Sequence, residues 1–168
     1  VVRFRWVRRE HVQDADDLSK FVDRMDFGLK RARLSELRRK FGPWDIDRFA
    51  CEHNTTCPRF NSLIESRHSE AADAMAQDWS SGVSYILPNF HMVDQITDNI
   101  ERDNAEVVLI VPAWRHKAWW RRLHSGAWRA RLAMAEFMPA RALVAYNEHC
   151  FFTGEFTTEL YAMRTCKR

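Results

Sequence analysis

The chain has 168 residues, 46% of them apolar, and its 26 basic and 23 acidic residues give a net charge of +3. This much apolar surface can offset the chain entropy lost on folding, so the composition excludes a disordered protein. No apolar run approaches the ~20 residues that span a membrane, and the nearly balanced charge excludes a histone-like basic tail.

The first 27 residues predict one strand and one helix. Residues 2–7 alternate apolar side chains with arginines, which is typical of a strand. Asp14 is placed to cap a helix that ends near residue 21, and residues 22–27 are interpreted as a connector. Because one strand and one helix are too little for a domain, we expect a domain boundary between about Phe27 and Arg31.

From residue 29 onward, helices and strands are predicted to alternate. A basic amphipathic helix over residues 29–41 ends at Gly42-Pro43. Further helices are predicted over residues 69–77, 91–102 and 117–124, and strands over residues 45–50, 84–87, 106–111, 141–145 and 159–164. The run VVLIV within residues 106–111 is typical of a strand that is covered on both faces. The alternation predicts an α/β fold with a largely parallel sheet.

The four cysteines, Cys51, Cys57, Cys150 and Cys166, include no CxxC pair. They do not form a disulfide framework, which predicts a reducing, intracellular location: nucleus, cytoplasm or an organellar complex. Cys51, His53 and Cys57 are close in sequence and His149-Cys150 offers further ligands, but the spacing matches no common zinc pattern. We therefore expect no metal site in this chain alone.

Several phrases, taken in order, carry a resemblance to known families. WVRREHVQDADDLSK resembles the last strand and helix of a ribonuclease H domain, as found in reverse transcriptases of DIRS-like tyrosine-recombinase retrotransposons. FGPWDIDRFACEHNTTCPRFNS, DAMAQDWS, YILPNF and VVLIVPAWRHKAWW resemble the phage-type Dam family of DNA adenine-N6 methyltransferases, which those retrotransposons carry directly after ribonuclease H. The resemblance covers about residues 2–125.

This resemblance implies a domain organisation and partners. It implies a ribonuclease H-like remnant over residues 1–27 and a methyltransferase-like (Rossmann-like) domain over residues 31–168. S-adenosylmethionine is the implied cofactor and DNA or RNA the implied partner, with no membrane involved. An upstream reverse transcriptase and ribonuclease H domain is also implied, and the lack of an initiating Met predicts that this chain is a piece of a longer polypeptide.

Asp16 matches the last metal-binding carboxylate of ribonuclease H. Several carboxylates must hold the two divalent metals that clamp a scissile phosphate, and the others would lie upstream. We therefore expect Asp16 to bind metal only within a complete ribonuclease H domain. The alternative is that Asp14, Asp16 and Asp17 favour a helix N-terminus.

Cofactor-binding residues are implied at two places. Asp47, Phe49 and Ala50 match the family's turn after the first strand, where an acid binds the cofactor and alanine allows close approach. Asn54 either binds a ribose hydroxyl or holds its loop, and we favour the loop. Asp78-Trp79 either reads the cofactor's adenine or is a surface acid beside a core tryptophan.

The catalytic loop of the family is Asn/Asp-Pro-Pro-Tyr/Phe, and here it is Leu87-Pro88-Asn89-Phe90. In the family, the first side chain and a backbone carbonyl accept the amine hydrogens of an extruded adenine, and the aromatic ring stacks on the base. Leu87 cannot accept a hydrogen bond, and Asn89 comes two positions later. Loss of one preorganised acceptor costs ~3 kcal/mol, or about a hundredfold in rate. We predict little or no adenine methylation.

A basic, tryptophan-rich segment follows the predicted strand over residues 106–111. Arg115, Lys117, Arg121 and Arg122 interleave with Trp114, Trp119 and Trp120, which is typical either of a nucleic-acid face or of a packed core with solvated charges. Three functions stay open: a methyltransferase-like domain of retrotransposon origin with degenerate chemistry, a structural or assembly module, and an active adenine-N6 methyltransferase. The sequence favours the first.

Overall fold

The computed structural model describes residues 26–150, 152 and 154–167. In chain order the strands are β1 Phe27–Leu29, β2 Ile46–Asp47, β3 Asn61–Ser62, β4 Ala71–Ala72, β5 Val83–Ile86, β6 Glu106–Pro112, β7 Leu132–Met138, β8 Leu143–Ala145 and β9 Leu160–Thr165. The helices are α1 Arg31–Phe41, α2 Val93–Arg102, α3 Ala118–Leu123 and α4 Gly126–Arg129, with single 3-10 turns at Ala74–Ala76 and Phe90–Met92. The strand and helix predicted before residue 22, with Asp14 and Asp16, lie outside the described residues.

A five-stranded sheet in the order β2-β5-β6-β9-β7 forms the centre of the fold. β2, β5 and β6 are parallel neighbours, with Ile46 opposite Ser84 and Tyr85 opposite Val108. β9 pairs antiparallel with both β6 and β7, so β7 runs in the same direction as the three parallel strands. The predicted α/β class is confirmed, and the sheet is mixed rather than uniformly parallel.

Two separate two-stranded sheets accompany this central sheet. β3 pairs in parallel with β4, and Phe60 forms a parallel bridge with Asp47, which places the start of β3 beside β2. The buried Arg48 side chain fixes this arrangement, because it donates to Ser84 Oγ and to Asn61 Oδ1, each at 3.0 Å. The second sheet pairs β1 antiparallel with β8, with Phe27 opposite Ala145, and it packs against the same face of the central sheet as α1.

The core lies in two layers, one on each face of β6. Because side chains alternate along a strand, Val108 and Ile110 join the layer that contains α1, whereas Val107, Leu109 and Val111 join the layer that contains α2. All five side chains are fully buried. The prediction that VVLIV is a strand covered on both faces is therefore confirmed.

Each helix buries the face that its sequence period indicates. In α2, Val93, Ile96 and Ile100 recur at helical spacing and are fully buried, whereas the acidic side chains between them are exposed. Asn99 is also buried, and its Nδ2 donates to Met75 O at 3.2 Å. In α1, Leu37 and Phe41 are buried and the basic residues of the last turn point to solvent. Within the described ranges, no helix combines the length and apolarity that a membrane crossing requires.

Several predicted elements are wrong or incomplete. The helix predicted over residues 69–77 is replaced by β4 and a 3-10 turn, because Asp73 takes a left-handed φ of 52° and its Oδ1 accepts from the Met75 N–H. The strand predicted over residues 45–50 is reduced to β2. Phe27, predicted as the end of a connector, is the first residue of β1.

The strand β7 and the short helix α4 were not predicted from the sequence. β7 has the sequence LAMAEFM, which is rich in helix-favouring residues and lacks a clean alternation. Its strand conformation is set by pairing with β9, where Phe137 lies opposite Tyr161. Tertiary pairing here overrides the local preference of the chain.

Candidate functional site

A cavity of about 330 Å³ lies at the carboxyl ends of β2 and β5. Its walls are the end of β2, the loop of residues 49–56, the end of β5 with Leu87, and the β1–β8 pair with the first turns of α1. From β2 the chain first turns to β3 on one side, whereas β5 and β6 follow on the other side. In open α/β sheets, ligands bind outside the carboxyl ends at such a change of direction.

Asp47, the last residue of β2, organises the floor of this cavity. Its side chain is buried, and Oδ2 accepts hydrogen bonds from Thr56 N at 3.0 Å and Thr56 Oγ1 at 2.9 Å. Thr56 Oγ1 in turn accepts from Trp44 Nε1 at 2.9 Å. Burial raises the pKa of Asp47 to about 6, although the hydrogen bonds from Thr56 and Phe49 oppose this shift. The carboxyl group therefore shapes the loop and changes its charge near neutral pH.

Asn54 holds the loop of residues 49–56 through both the oxygen and the nitrogen of its side-chain amide. Oδ1 accepts from Cys51 N at 2.7 Å, and Nδ2 donates to Asp26 Oδ1 at 3.0 Å. Phe49 also lines the cavity, and its ring meets Trp79 edge-on at 6.3 Å between ring centroids. Ala50 is buried behind the cavity wall, where its N–H donates to Asn61 O at 3.1 Å.

Tyr85 lines the cavity, although no functional role was predicted for it. It is 2% exposed, and its ring stacks on Trp44 with the centroids 4.8 Å apart. Its hydroxyl is the one buried side-chain polar atom that has no hydrogen-bond partner among the described residues. Burial also raises the pKa of Tyr85 well above its usual value, so the group stays a neutral hydroxyl. An unpaired hydroxyl beside a cavity indicates a position where a ligand atom can complete the bond.

The predicted catalytic loop reaches the cavity through Leu87 alone. Leu87 is 8% exposed and lines the cavity. Asn89 is half-buried, and its carbonyl accepts from Met92 N at 2.9 Å at the start of the 3-10 turn. Pro88 is buried, and Phe90 packs in the core against Phe27 and Trp114, with ring centroids 5.2 Å and 5.6 Å away. The ring of Phe90 is thus turned into the core rather than toward the cavity.

Asp78 and Trp79 precede β5 and are not among the residues that line the cavity. Trp79 is fully buried, with Nε1 donating to Ala74 O at 2.8 Å. The Asp78 carboxylate accepts from Ser80 N at 2.7 Å and Ser80 Oγ at 2.9 Å, and these bonds lower the pKa of Asp78. The structure does not bring this pair to the cavity, and its geometry is that of a surface acid beside a core tryptophan.

The basic residues after β6 divide into two kinds. Arg115 and Lys117 are exposed at the carboxyl edge of the sheet, where Lys117 Nζ lies 5.9 Å from the centroid of the Trp114 ring. Arg121 is exposed on α3. Arg122 is ion-paired with Asp98 at 2.6 Å and with Glu101 at 2.7 Å, so its charge is already compensated. Trp119 and Trp120 are buried, which matches the packed-core alternative rather than stacking on bases.

Comparison with known proteins identifies the family. A search of curated proteins gives no match. The family described as DNA N-6-adenine-methyltransferase (Dam) matches residues 31–134, which include α1, β2, β5, β6, the loop of residues 49–56 and Leu87. The match covers well over half of the chain and confirms the Dam-like part of the resemblance. The chain belongs to the DNA N-6-adenine-methyltransferase (Dam) family.

Proposed function

We propose that the chain is a methyltransferase-like domain that binds S-adenosylmethionine and nucleic acid, with degenerate adenine-N6 methylation chemistry. The observation that carries this proposal is the cavity at the carboxyl ends of β2 and β5, where Asp47 forms the floor and Leu87 stands in the wall. The shared direction of β2, β5, β6 and β7 supports a methyltransferase-like (Rossmann-like) sheet behind that cavity.

The residues present in the cavity fit S-adenosylmethionine. When bound, this cofactor supplies a methyl group on a sulfonium sulfur. Asp47 offers a carboxylate for the cofactor's hydroxyl or amino groups, and Tyr85 offers the unpaired hydroxyl. Phe49 offers a ring face for a nucleobase, while Arg31 offers a guanidinium for a carboxylate. A cavity of about 330 Å³ is within the range of small-molecule sites.

The identity of residue 87 supports degenerate chemistry. Methylation of an adenine amine needs an acceptor that aims the nitrogen lone pair, and the Leu87 side chain has no polar atom. Asn89 does not compensate, because it is not among the residues that line the cavity. The missing acceptor lowers the expected rate by about a hundredfold, which corresponds to ~3 kcal/mol.

Association with nucleic acid is supported by the exposed basic residues at the same edge of the sheet. Arg115 and Lys117 follow β6 directly, so they stand on the side of the sheet where the cavity lies. Their charges are available to phosphate groups, whereas the charge of Arg122 is held by two carboxylates.

We also propose a lineage. The phrase WVRREHVQDADDLSK supports a ribonuclease H remnant at the start of the chain, and hence a retrotransposon polyprotein with an upstream reverse transcriptase as the source. In that setting Asp16 would contribute to a metal site shared with upstream carboxylates. The genomic sequence preceding Val1 tests the lineage directly, since a reading frame without reverse transcriptase motifs would refute it.

Isothermal titration calorimetry with S-adenosylhomocysteine, followed by DNA binding at two salt concentrations, tests the binding function. We expect saturable cofactor binding and a DNA affinity that falls as salt rises. Asp47→Ala is expected to weaken cofactor binding, and Asp98→Ala, on the outer face of α2, is the control that leaves it unchanged. If neither ligand binds, the proposal is refuted and a structural or assembly module takes its place.

A further inference from the structure

We propose that Asp26, Cys51 and His53 form a binding site for a divalent transition-metal ion, with zinc as the expected occupant. Carboxylate, thiolate and imidazole atoms of these residues all lie within 4.8 Å of one another. From the sequence we expected no metal site in this chain alone, because the spacing of Cys51, His53 and Cys57 matches no common zinc pattern; Asp26, distant along the chain, was not among the candidates. The site is separate from the proposed cofactor function, and its test needs no cofactor.

The two ligand-to-ligand distances from His53 are shorter than those of a tetrahedral zinc centre by a few tenths of an ångström, and all three ligand atoms lie within 4.8 Å of one another. His53 Nε2 lies 3.3 Å from Cys51 Sγ and 2.9 Å from Asp26 Oδ2. Zinc–ligand bonds of about 2.0–2.3 Å place neighbouring ligand atoms of a tetrahedron roughly 3.3–3.6 Å apart. Cys51 Sγ lies at the same 3.3 Å from His53 Nδ1, so binding a metal between the three residues requires outward movement of the ligand atoms and adjustment of the imidazole ring.

The surroundings of Asp26 are those of a supported ligand. Its side chain is only 8% exposed. Asn54 Nδ2 donates to Oδ1 at 3.0 Å and Asn147 Nδ2 donates to Oδ2 at 3.2 Å, while the Asp26 carbonyl accepts from Tyr146 N at 2.9 Å. Such outer hydrogen bonds hold a metal-binding carboxylate in one orientation. These amides are neutral, so a cation would provide the charge compensation that a buried carboxylate needs.

The donor set favours zinc over magnesium or calcium. Thiolate and imidazole are ligands that zinc prefers, whereas the alkaline-earth ions prefer oxygen alone. His53 is 61% exposed in its side chain, so a water molecule has access to the fourth coordination position. Cys57 is not part of this group; its Sγ donates to Arg59 O at 3.1 Å.

A metal at this position would join three segments of the chain. Asp26 precedes β1, Cys51 and His53 belong to the loop of residues 49–56, and Asn147 follows β8. His53 and Asn54 also line the cavity. The ion would therefore fix the loop that forms the cavity rim, and its removal would loosen that rim.

Titration of the full 168-residue chain with Co²⁺, followed by competition with Zn²⁺, tests the site. We expect one equivalent of Co²⁺ to give thiolate-to-cobalt charge-transfer absorption that Zn²⁺ abolishes. Cys51→Ser should remove the band. His53→Ala should weaken metal binding by at least roughly tenfold. Asn147→Ala, which removes only an outer hydrogen bond to Asp26, should weaken metal binding by no more than His53→Ala does. Cys166→Ser, which changes a half-buried cysteine elsewhere, is the matched control and should keep the band.

His53 is exposed, so His53→Ala is expected to fold, and thermal unfolding of each variant without metal checks this. Two outcomes would overturn the proposal. One is the absence of a charge-transfer band in the unmodified chain. The other is a band of equal strength in Cys51→Ser and His53→Ala, which would place the metal at other residues.

Discussion

The unpaired hydroxyl of Tyr85 predicts that Tyr85→Phe stabilises the chain in the absence of ligand but weakens its binding of the cofactor. The atom is buried beside the cavity and has no partner among the described residues. An unsatisfied buried hydroxyl costs about 1–3 kcal/mol. Tyr85→Phe removes that atom and keeps the ring that stacks on Trp44. In the absence of ligand, the variant should therefore be more stable than the unmodified chain.

The expected magnitudes follow from that cost. For a chain of this size, 1 kcal/mol corresponds to about 2–4 °C in Tm, so Tyr85→Phe should raise Tm by roughly 2–12 °C. If the hydroxyl bonds to the cofactor, its loss removes a hydrogen bond worth about 0.5–1.5 kcal/mol, so affinity should fall about two- to tenfold. Stability would thus rise while binding weakens.

Calorimetric unfolding and titration with S-adenosylhomocysteine measure the two effects on the same samples. Tyr161→Phe is the matched control, because Tyr161 is also a largely buried tyrosine but packs in the layer on the other face of the sheet. Tyr161→Phe should leave the affinity for S-adenosylhomocysteine unchanged. The reasoning is refuted if Tyr85→Phe lowers Tm without ligand or binds the cofactor as tightly as the unmodified chain.

Two further predictions concern pH and salt. Burial raises the pKa of Asp47 to about 6, above its unfolded value, so the folded chain binds a proton more tightly. This contribution to stability is present below about pH 4 and is lost as pH rises to about 6, a difference of about 2–3 kcal/mol. Asp47→Asn should flatten that decline in urea unfolding measured between pH 4 and pH 7, and an unchanged slope would contradict the burial argument. For nucleic acid, Arg115→Ala with Lys117→Ala should reduce the slope of log affinity against log salt by about 1–2, whereas Arg122→Ala, whose charge is paired, should leave it unchanged. Equal slopes for the double variant and for Arg122→Ala would remove Arg115 and Lys117 from the interface.

The central strand and its helices were predictable because their patterns are local. VVLIV in β6 and the spacing of Val93, Ile96 and Ile100 in α2 carry the information for burial within a few residues. β7 could not be predicted in this way. Its residues favour a helix, and only its pairing with β9 makes it a strand.

The site was predictable only in part, for a related reason. Asp47 is the last residue of β2, the first strand of the main sheet, and Leu87 directly follows β5. Because both positions are at strand ends, the sequence pattern could place them near a site. Asp78 and Trp79 precede β5 and do not line the cavity, which the order of motifs along the chain does not reveal. The unpaired Tyr85 hydroxyl and the approach of Asp26 to His53 depend on contacts between distant segments, and no local pattern encodes them.

The claim on which the proposed function depends is that an aliphatic side chain stands where adenine methylation needs an acceptor. Methyl transfer from labelled S-adenosylmethionine to adenine-containing DNA tests it most directly in the unmodified chain, Leu87→Asn and the control Leu63→Asn, whose residue is 68% exposed. We predict little transfer by the unmodified chain and the control, and a rate about a hundredfold higher in Leu87→Asn. Rapid transfer by the unmodified chain, or transfer that Leu87→Asn does not raise, would contradict the claim.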